Sequence, residues 1–109
     1  MSIDEVLRRC DAFAGLPSDA LAVLAALARV RTLHGQEMWV DADADATAMA
    51  VVARGRLRAF RHDARAEHWV PVGDIRAGEL VGEISVFGHV PTTARVIAVR
   101  DSVVLEFPA

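Results

Sequence analysis

The sequence predicts one mainly β domain of sandwich, barrel or jelly-roll type with helices at its N-terminal flank. From residue 30 onward, short β-prone runs recur between turn residues. The first thirty residues instead carry capping signals and helical spacing. A length of 109 residues suffices for one core and not for a second. With 53% apolar and 25% charged residues, the chain has the composition of a folded domain, not a disordered one.

The first helix opens on Ser2, with Glu5 three residues later, the spacing of a capping box. Ile3, Val6, Leu7 and Cys10 then share one face, and Phe13 anchors its end. Gly15-Leu16-Pro17 breaks the chain, and Ser18-Asp19 starts a second helix with an apolar stripe of Leu21, Leu24, Leu27 and Ala28. Both helices are too short to stand alone and must pack on the β region.

The β-prone runs cover 30–33, 37–40, 48–53, 57–61, 68–72, 93–99 and 102–107. Gly35, Gly55, Gly73 and Gly78 fall between them, at positions read as turns. Arg54-Gly55-Arg56 reads as a tight hairpin, and Arg54, Arg56, Arg58 and Arg61 would give a local positive edge. The run Asp41-Ala-Asp-Ala-Asp-Ala46 lacks the turn glycine and distal glutamate of a calcium loop, so it reads as an exposed acidic connection.

A formal net charge of −3 leaves no basic surface for a nucleic-acid backbone. The lone Cys10 cannot form an internal disulfide and suits a reducing compartment. No apolar run reaches the roughly 18 residues of a membrane span. A cytoplasmic protein without membrane contact is expected.

Residues 78–96 carry the most functional information. They read as a strand breaking at Gly82, a single helical turn, and a new strand near Thr93. A helix opening on a glycine beside a carboxylate offers free backbone N–H groups to a phosphate and an acceptor to a ribose hydroxyl. Ser85 has no Gly-x-Ser-x-Gly elbow, and His34, His62, His68 and His89 make no His-x-His pattern with a glutamate. No catalytic residue and no metal ligand is therefore assigned. Trp39 and Trp69 read as sheet packing, and His34 and His62 as surface turn residues.

In order and spacing the chain resembles the cyclic-nucleotide-binding domain family over nearly its whole length. The residues that carry the resemblance are Phe13-Ala-Gly-Leu16, Gly35, Met49-Ala-Val-Val-Ala-Arg-Gly55, Asp74-Ile-Arg-Ala-Gly78, Val81-Gly-Glu-Ile-Ser85, Pro91-Thr-Thr-Ala94 and Val99-Arg-Asp-Ser102. The resemblance implies a jelly-roll β-roll, or double-stranded β-helix, with N-terminal helices (1–29), the roll (30–109) and a short helix in a phosphate-binding cassette. It implies a non-catalytic sensor of cyclic AMP or cyclic GMP that is the N-terminal part of a longer protein. Its partner would be an effector domain in the same chain or a second copy.

Carried over to this sequence, Gly82 and the following amides, Ile84 among them, would face the phosphate. Glu83 would accept from the ribose 2′-hydroxyl, and Ser85 would approach the phosphate. Thr92 and Thr93 follow the turn. The family places an arginine where this chain has Thr92, and a threonine offers one neutral hydrogen bond in place of a charge. Loss of such a partner costs roughly 2–5 kcal/mol, enough to move a micromolar ligand towards millimolar. Arg95 has the opposite strand parity to Thr92 and is expected to point outward into solvent. The alternative is a degenerate member that binds no nucleotide and serves as a protein-interaction or dimerisation unit.

Overall fold

The computed structural model describes residues 2–42, 48–65, 67–82 and 94–108. Helix α1 (Ile3–Arg9) begins as the capping signal requires, with Glu5 N–H donating to Ser2 Oγ at 3.3 Å. Its acids, Asp4 and Glu5, lie in the first turn and its bases, Arg8 and Arg9, in the last, which complements the helix dipole. A 3₁₀ turn (Asp11–Phe13) follows. Gly15, at φ +88°, then swings the chain into α2 (Ser18–Leu27), which Pro17 precedes.

Among the described residues eight strands follow: β1 (Arg29–Leu33), β2 (Met38–Val40), β3 (Ala48–Arg54), β4 (Arg56–Asp63), β5 (His68–Arg76), β6 (Leu80–Val81), β7 (Arg95–Ala98) and β8 (Ser102–Pro108). They form two four-stranded antiparallel sheets, one in the order β1-β8-β3-β6 and the other β2-β7-β4-β5. Consecutive strands alternate between sheets except at the β4–β5 hairpin, so the chain winds as a jelly roll, the architecture expected from the sequence.

Strand alternation divides the apolar residues between two cores. Leu33, Ala50, Val52, Leu57, Val96, Ala98 and Val104 fill the space between the sheets. Val51, Leu105 and Phe107 face the other way on β3 and β8 and meet Leu7 and Cys10 beneath the helices. Full burial of a Val or Leu side chain is worth roughly 1.5–3 kcal/mol. The helices thus stay folded because they cover the outer face of one sheet. Leu27 departs from the expected stripe: Leu21, Leu24, Ala25 and Ala28 pack inward, while Leu27 is exposed.

Arg54-Gly55-Arg56 is not a hairpin. β3 and β4 belong to different sheets and do not pair, so Gly55, at φ +92°, is the corner where the chain changes layer. A Cβ there would collide with the Ser102 hydroxyl and stand 2.7 Å from the Asp101 carbonyl oxygen. The hairpin in this region is β4–β5, paired from Arg56↔Arg76 to Asp63↔His68. Gly73 lies within β5, beside the register shift at Ala59/Phe60, and not in a turn. His62 likewise lies on β4, exposed, while His34 borders the 35–36 turn as expected. No described helix is long and apolar enough to cross a membrane.

Candidate functional site

The break expected at Gly82 is where the sequence places it. β6 is only two residues long and pairs with β3 through Ala50↔Val81 and Val51↔Leu80. Immediately after it, Gly82 takes φ +85°, the left-handed region that favours glycine. A Cβ at Gly82 would lie 3.0 Å from Trp39 Cη2, 3.1 Å from the Ala48 carbonyl oxygen and 3.4 Å from Met49 Cα. Conformation and close approach both exclude a side chain here.

Trp39 therefore forms the floor beneath Gly82. The register shift between Met38 and Val40 lets Trp39 and Val40 both pack on the inter-sheet core. The indole spans from one sheet to the other and donates its Nε1–H to Glu106 Oε2 at 2.8 Å. Glu106 shares the parity of buried Ser102 and Val104 on β8, which turns its carboxylate towards the roll interior. Arg31 Nη1 donates to the same oxygen at 3.3 Å, and Arg31 Nη2 lies 3.6 Å from Glu37 Oε2. One guanidinium thus faces two carboxylates, and it carries no spare charge for an anion.

Arg95 is also committed. It alternates with buried Val96 and Ala98, so it lies on the outer face of its sheet, as its parity predicts. It points outward as expected but is only part-exposed and is paired there, which corrects the expectation of a freely solvated side chain. Its guanidinium makes a two-pronged contact with Asp41, Nε to Oδ1 at 2.9 Å and Nη2 to Oδ2 at 3.4 Å. It also stacks 3.9 Å from the Trp69 ring centroid, and Trp69 meets His62 edge-on at 5.2 Å. The hydrogen bond from Arg95 holds the Asp41 carboxyl below the usual carboxylate range. Trp69 is thereby a sheet-face residue.

The expected arginine edge is partly neutralised as well. Arg58 grips Asp74 through Nε at 2.6 Å and Nη2 at 3.1 Å, and Arg56 reaches the same carboxylate at 3.5 Å. Hydrogen bonding from Arg58, with the charges of Arg58, Arg56 and Arg76, lowers the Asp74 pKa. Among the described residues, no group of three His, Cys, Asp or Glu side chains is placed to hold a metal ion.

Of the sequence-predicted site residues, Gly82 is described. Glu83, Ile84, Ser85, Thr92 and Thr93 lie outside the described residues, as does His89. The Trp39–Glu106–Arg31 cluster was not foreseen. The available signal was Glu106 itself, a carboxylate at a core-facing position of an apolar strand.

The fold and this break can be set against known proteins. The sequence profile of the cyclic nucleotide-binding domain matches residues 30–109. This chain belongs to that family. No curated protein matches the sequence. Among solved structures, a Ruegeria pomeroyi protein named for cyclic nucleotide binding is similar, with 23% identity and a TM-score of 0.89; the match covers 97% of this chain and 46% of that one. The N-terminal domain of a transcriptional regulator from Streptomyces coelicolor gives 26% identity and a TM-score of 0.85, with coverage of 94% and 73%. A cyclic nucleotide-binding domain thus spans about half the length of the Ruegeria relative. The regulatory subunit of a cAMP-independent protein kinase A from Trypanosoma brucei, as a triple mutant bound to cAMP, gives 15% identity and a TM-score of 0.89, with coverage of 95% and 38%.

Proposed function

We propose that this domain is a non-catalytic regulatory module whose site begins at Gly82 and continues through residues 83–93. The observation that carries the reading is the left-handed, side-chain-excluding turn at Gly82 over Trp39, at the end of β6 in a cyclic nucleotide-binding β-roll. In this reading the backbone N–H groups after Gly82 take the cyclic phosphate and Glu83 takes the ribose hydroxyl, with Ile84, Ser85, Thr92 and Thr93 completing the enclosure. The ligand is cyclic AMP or cyclic GMP, held weakly. Occupancy biases an attached effector domain by stabilising one arrangement of the segments flanking the roll. The domain works in the cytoplasm, as the N-terminal part of a longer chain.

A second reading is favoured by position 92. With threonine there, and with Arg31 and Arg95 already paired to carboxylates, neither of these two described arginines is a ready counter-charge for a phosphate. Such a member keeps the roll as an interaction unit and binds no nucleotide. Of the three substitutions in the Trypanosoma brucei mutant bound to cAMP, one replaces threonine by arginine. The same exchange is the natural test here.

Calorimetric titration with cyclic AMP and cyclic GMP, on the native chain and on Thr92→Arg, separates the readings. Weak binding by the native chain, tightened by at least about tenfold in Thr92→Arg, supports the sensor. No heat from either protein at millimolar nucleotide leaves only the interaction unit.

A further inference from the structure

A groove of about 480 Å³ opens outside the roll, between α1 and the end of β3, and Gly82 does not line it. Ser2, Glu5, Val6 and Arg9, at the i, i+3, i+4 and i+7 spacing of one helix face, form one wall. Ala53 and Arg54 of β3 form the other, with Ala77 and Gly78 from the turn between β5 and β6. Val6 and Ala53 pack at the margin of the core under the helices, so the floor is a continuation of that core. The space stays open because positions 53, 77 and 78 carry two alanines and a glycine.

The charges around this floor are uncommitted. Arg31, Arg56, Arg58 and Arg95 are each held by a carboxylate. Arg9 and Arg54 are exposed, and among the described residues neither has an ion-pair partner. Glu5 stands four residues before Arg9 on the same wall, yet the two do not come within 4.0 Å of each other. The groove thus sets two cations against one anion, in a chain whose net charge is −3.

We propose that this groove is a binding site for a small organic monocarboxylate with an aliphatic or aromatic body. It is separate from the nucleotide reading and does not depend on it. The carboxylate takes the guanidinium groups of Arg9 and Arg54, whose planar donors match its two oxygens. The body lies along Val6, Ala53 and Ala77, and the volume falls in the range of small-molecule sites. An inorganic anion would leave the apolar floor wet, and a neutral alcohol would leave both arginines unpaired. Glu5 adds selectivity, because a second carboxylate on the ligand would meet a like charge on the same wall.

Titration of the isotope-labelled native chain with hexanoate, followed by NMR, tests the assignment. Saturable shifts should appear at the amides of residues 53, 54, 77 and 78 and at the methyl groups of Ala53 and Ala77. Arg9→Gln and Arg54→Gln should each weaken binding by at least about tenfold with unchanged thermal unfolding, since both side chains are already in water. Ala77→Leu, at an exposed turn position, should block the groove, while Glu5→Gln should tighten binding by removing a like charge. Adipate and hexan-1-ol should each bind at least about tenfold more weakly than hexanoate. The proposal is overturned by the absence of saturable shifts at tens of millimolar hexanoate, or by shifts centred elsewhere. Binding indifferent to both arginine variants, weakened by Glu5→Gln, or as tight for adipate overturns it equally.

Discussion

Trp39 donates its indole Nε1–H to Glu106 at 2.8 Å, and the edge of the same ring lies 3.0 Å from where a Gly82 Cβ would stand. One side chain thus ties the wall of the roll to the turn where the candidate site begins. Its hydrogen bond fixes the indole plane, and the fixed plane in turn sets how closely Gly82 must approach. The turn at Gly82 is therefore a property of the roll interior as well as of its own backbone.

This coupling predicts a non-additive pair. Gly82→Ala must hold an L-residue at φ +85° and push against the indole, which costs at least roughly 1–2 kcal/mol for the backbone alone. Trp39→Phe removes both Cη2 and the donor, leaving Glu106 with Arg31, at a cost of about 1–3 kcal/mol. In the double variant the contact with the indole is gone, while the 3.1 Å approach to the Ala48 carbonyl oxygen stays. Urea unfolding should show the combined loss smaller than the sum by at least about 0.5 kcal/mol. Simple additivity would mean that the ring does not constrain the turn.

Ser102 predicts a second pairing at the layer-changing corner. It is buried, its Oγ accepts from Arg56 N–H at 3.0 Å and donates to the Arg100 carbonyl at 2.8 Å, and it fills the space beside Gly55. Ser102→Ala strands a backbone donor and should cost about 1–3 kcal/mol. Gly55→Ala should cost more, because its Cβ also meets the Asp101 carbonyl and Ser102 Cα, which belong to the backbone and cannot rotate aside. Chemical denaturation of the two variants ranks them, and the opposite order would show that the corner relaxes easily.

Local signals in the sequence were readable and distant ones were not. Ser2 and Glu5, Gly15 and Pro17, and the β-prone runs act within a few residues, so they placed the helices and most strand positions. Gly55 was misread because a left-handed glycine between two strands serves a hairpin and a change of sheet equally well. What decides between them is the pairing of β3 with β8, some fifty residues away. Gly82 was legible for the same local reason that Gly15 was. Its partners Trp39 and Glu106 were not, since their contact spans 67 positions. The parity of Arg95 was readable from alternation, whereas its neutralisation by Asp41 required the neighbouring strand.

Acid should loosen the outer face of the β2-β7-β4-β5 sheet first. Asp74 and Asp41 both titrate below their ordinary value in the folded chain, because Arg58 and Arg95 hold their ionised forms. A folded pKa below the unfolded one contributes stability above the unfolded value, and that contribution is lost as pH falls through the folded one. The contribution is thus complete near neutrality, begins to fall near the ordinary carboxylate pKa of about 4, and is gone only below the lower folded values. Thermal unfolding against pH should show Asp74→Asn lowering the midpoint at pH 7 and converging with the native chain at the acid end. A constant gap between the curves would assign the effect to packing instead.

Cys10 gives a probe of the helical flank. Its thiol is buried against the core under the helices, and burial raises its pKa, outweighing the backbone hydrogen bonds from Ala12 and Phe13. A thiol that is both inaccessible and more protonated than usual presents little thiolate to a reagent. Ellman's reagent at pH 8 should therefore modify the native chain slowly, at a rate set by opening of the helices rather than by the chemistry of the thiol. Leu7→Ala, which empties the adjoining core position, should accelerate modification by at least about tenfold, since the ~2–5 kcal/mol cost of the cavity lowers the free energy of opening. Equal rates in the two proteins would show that the thiol is reached without displacing α1.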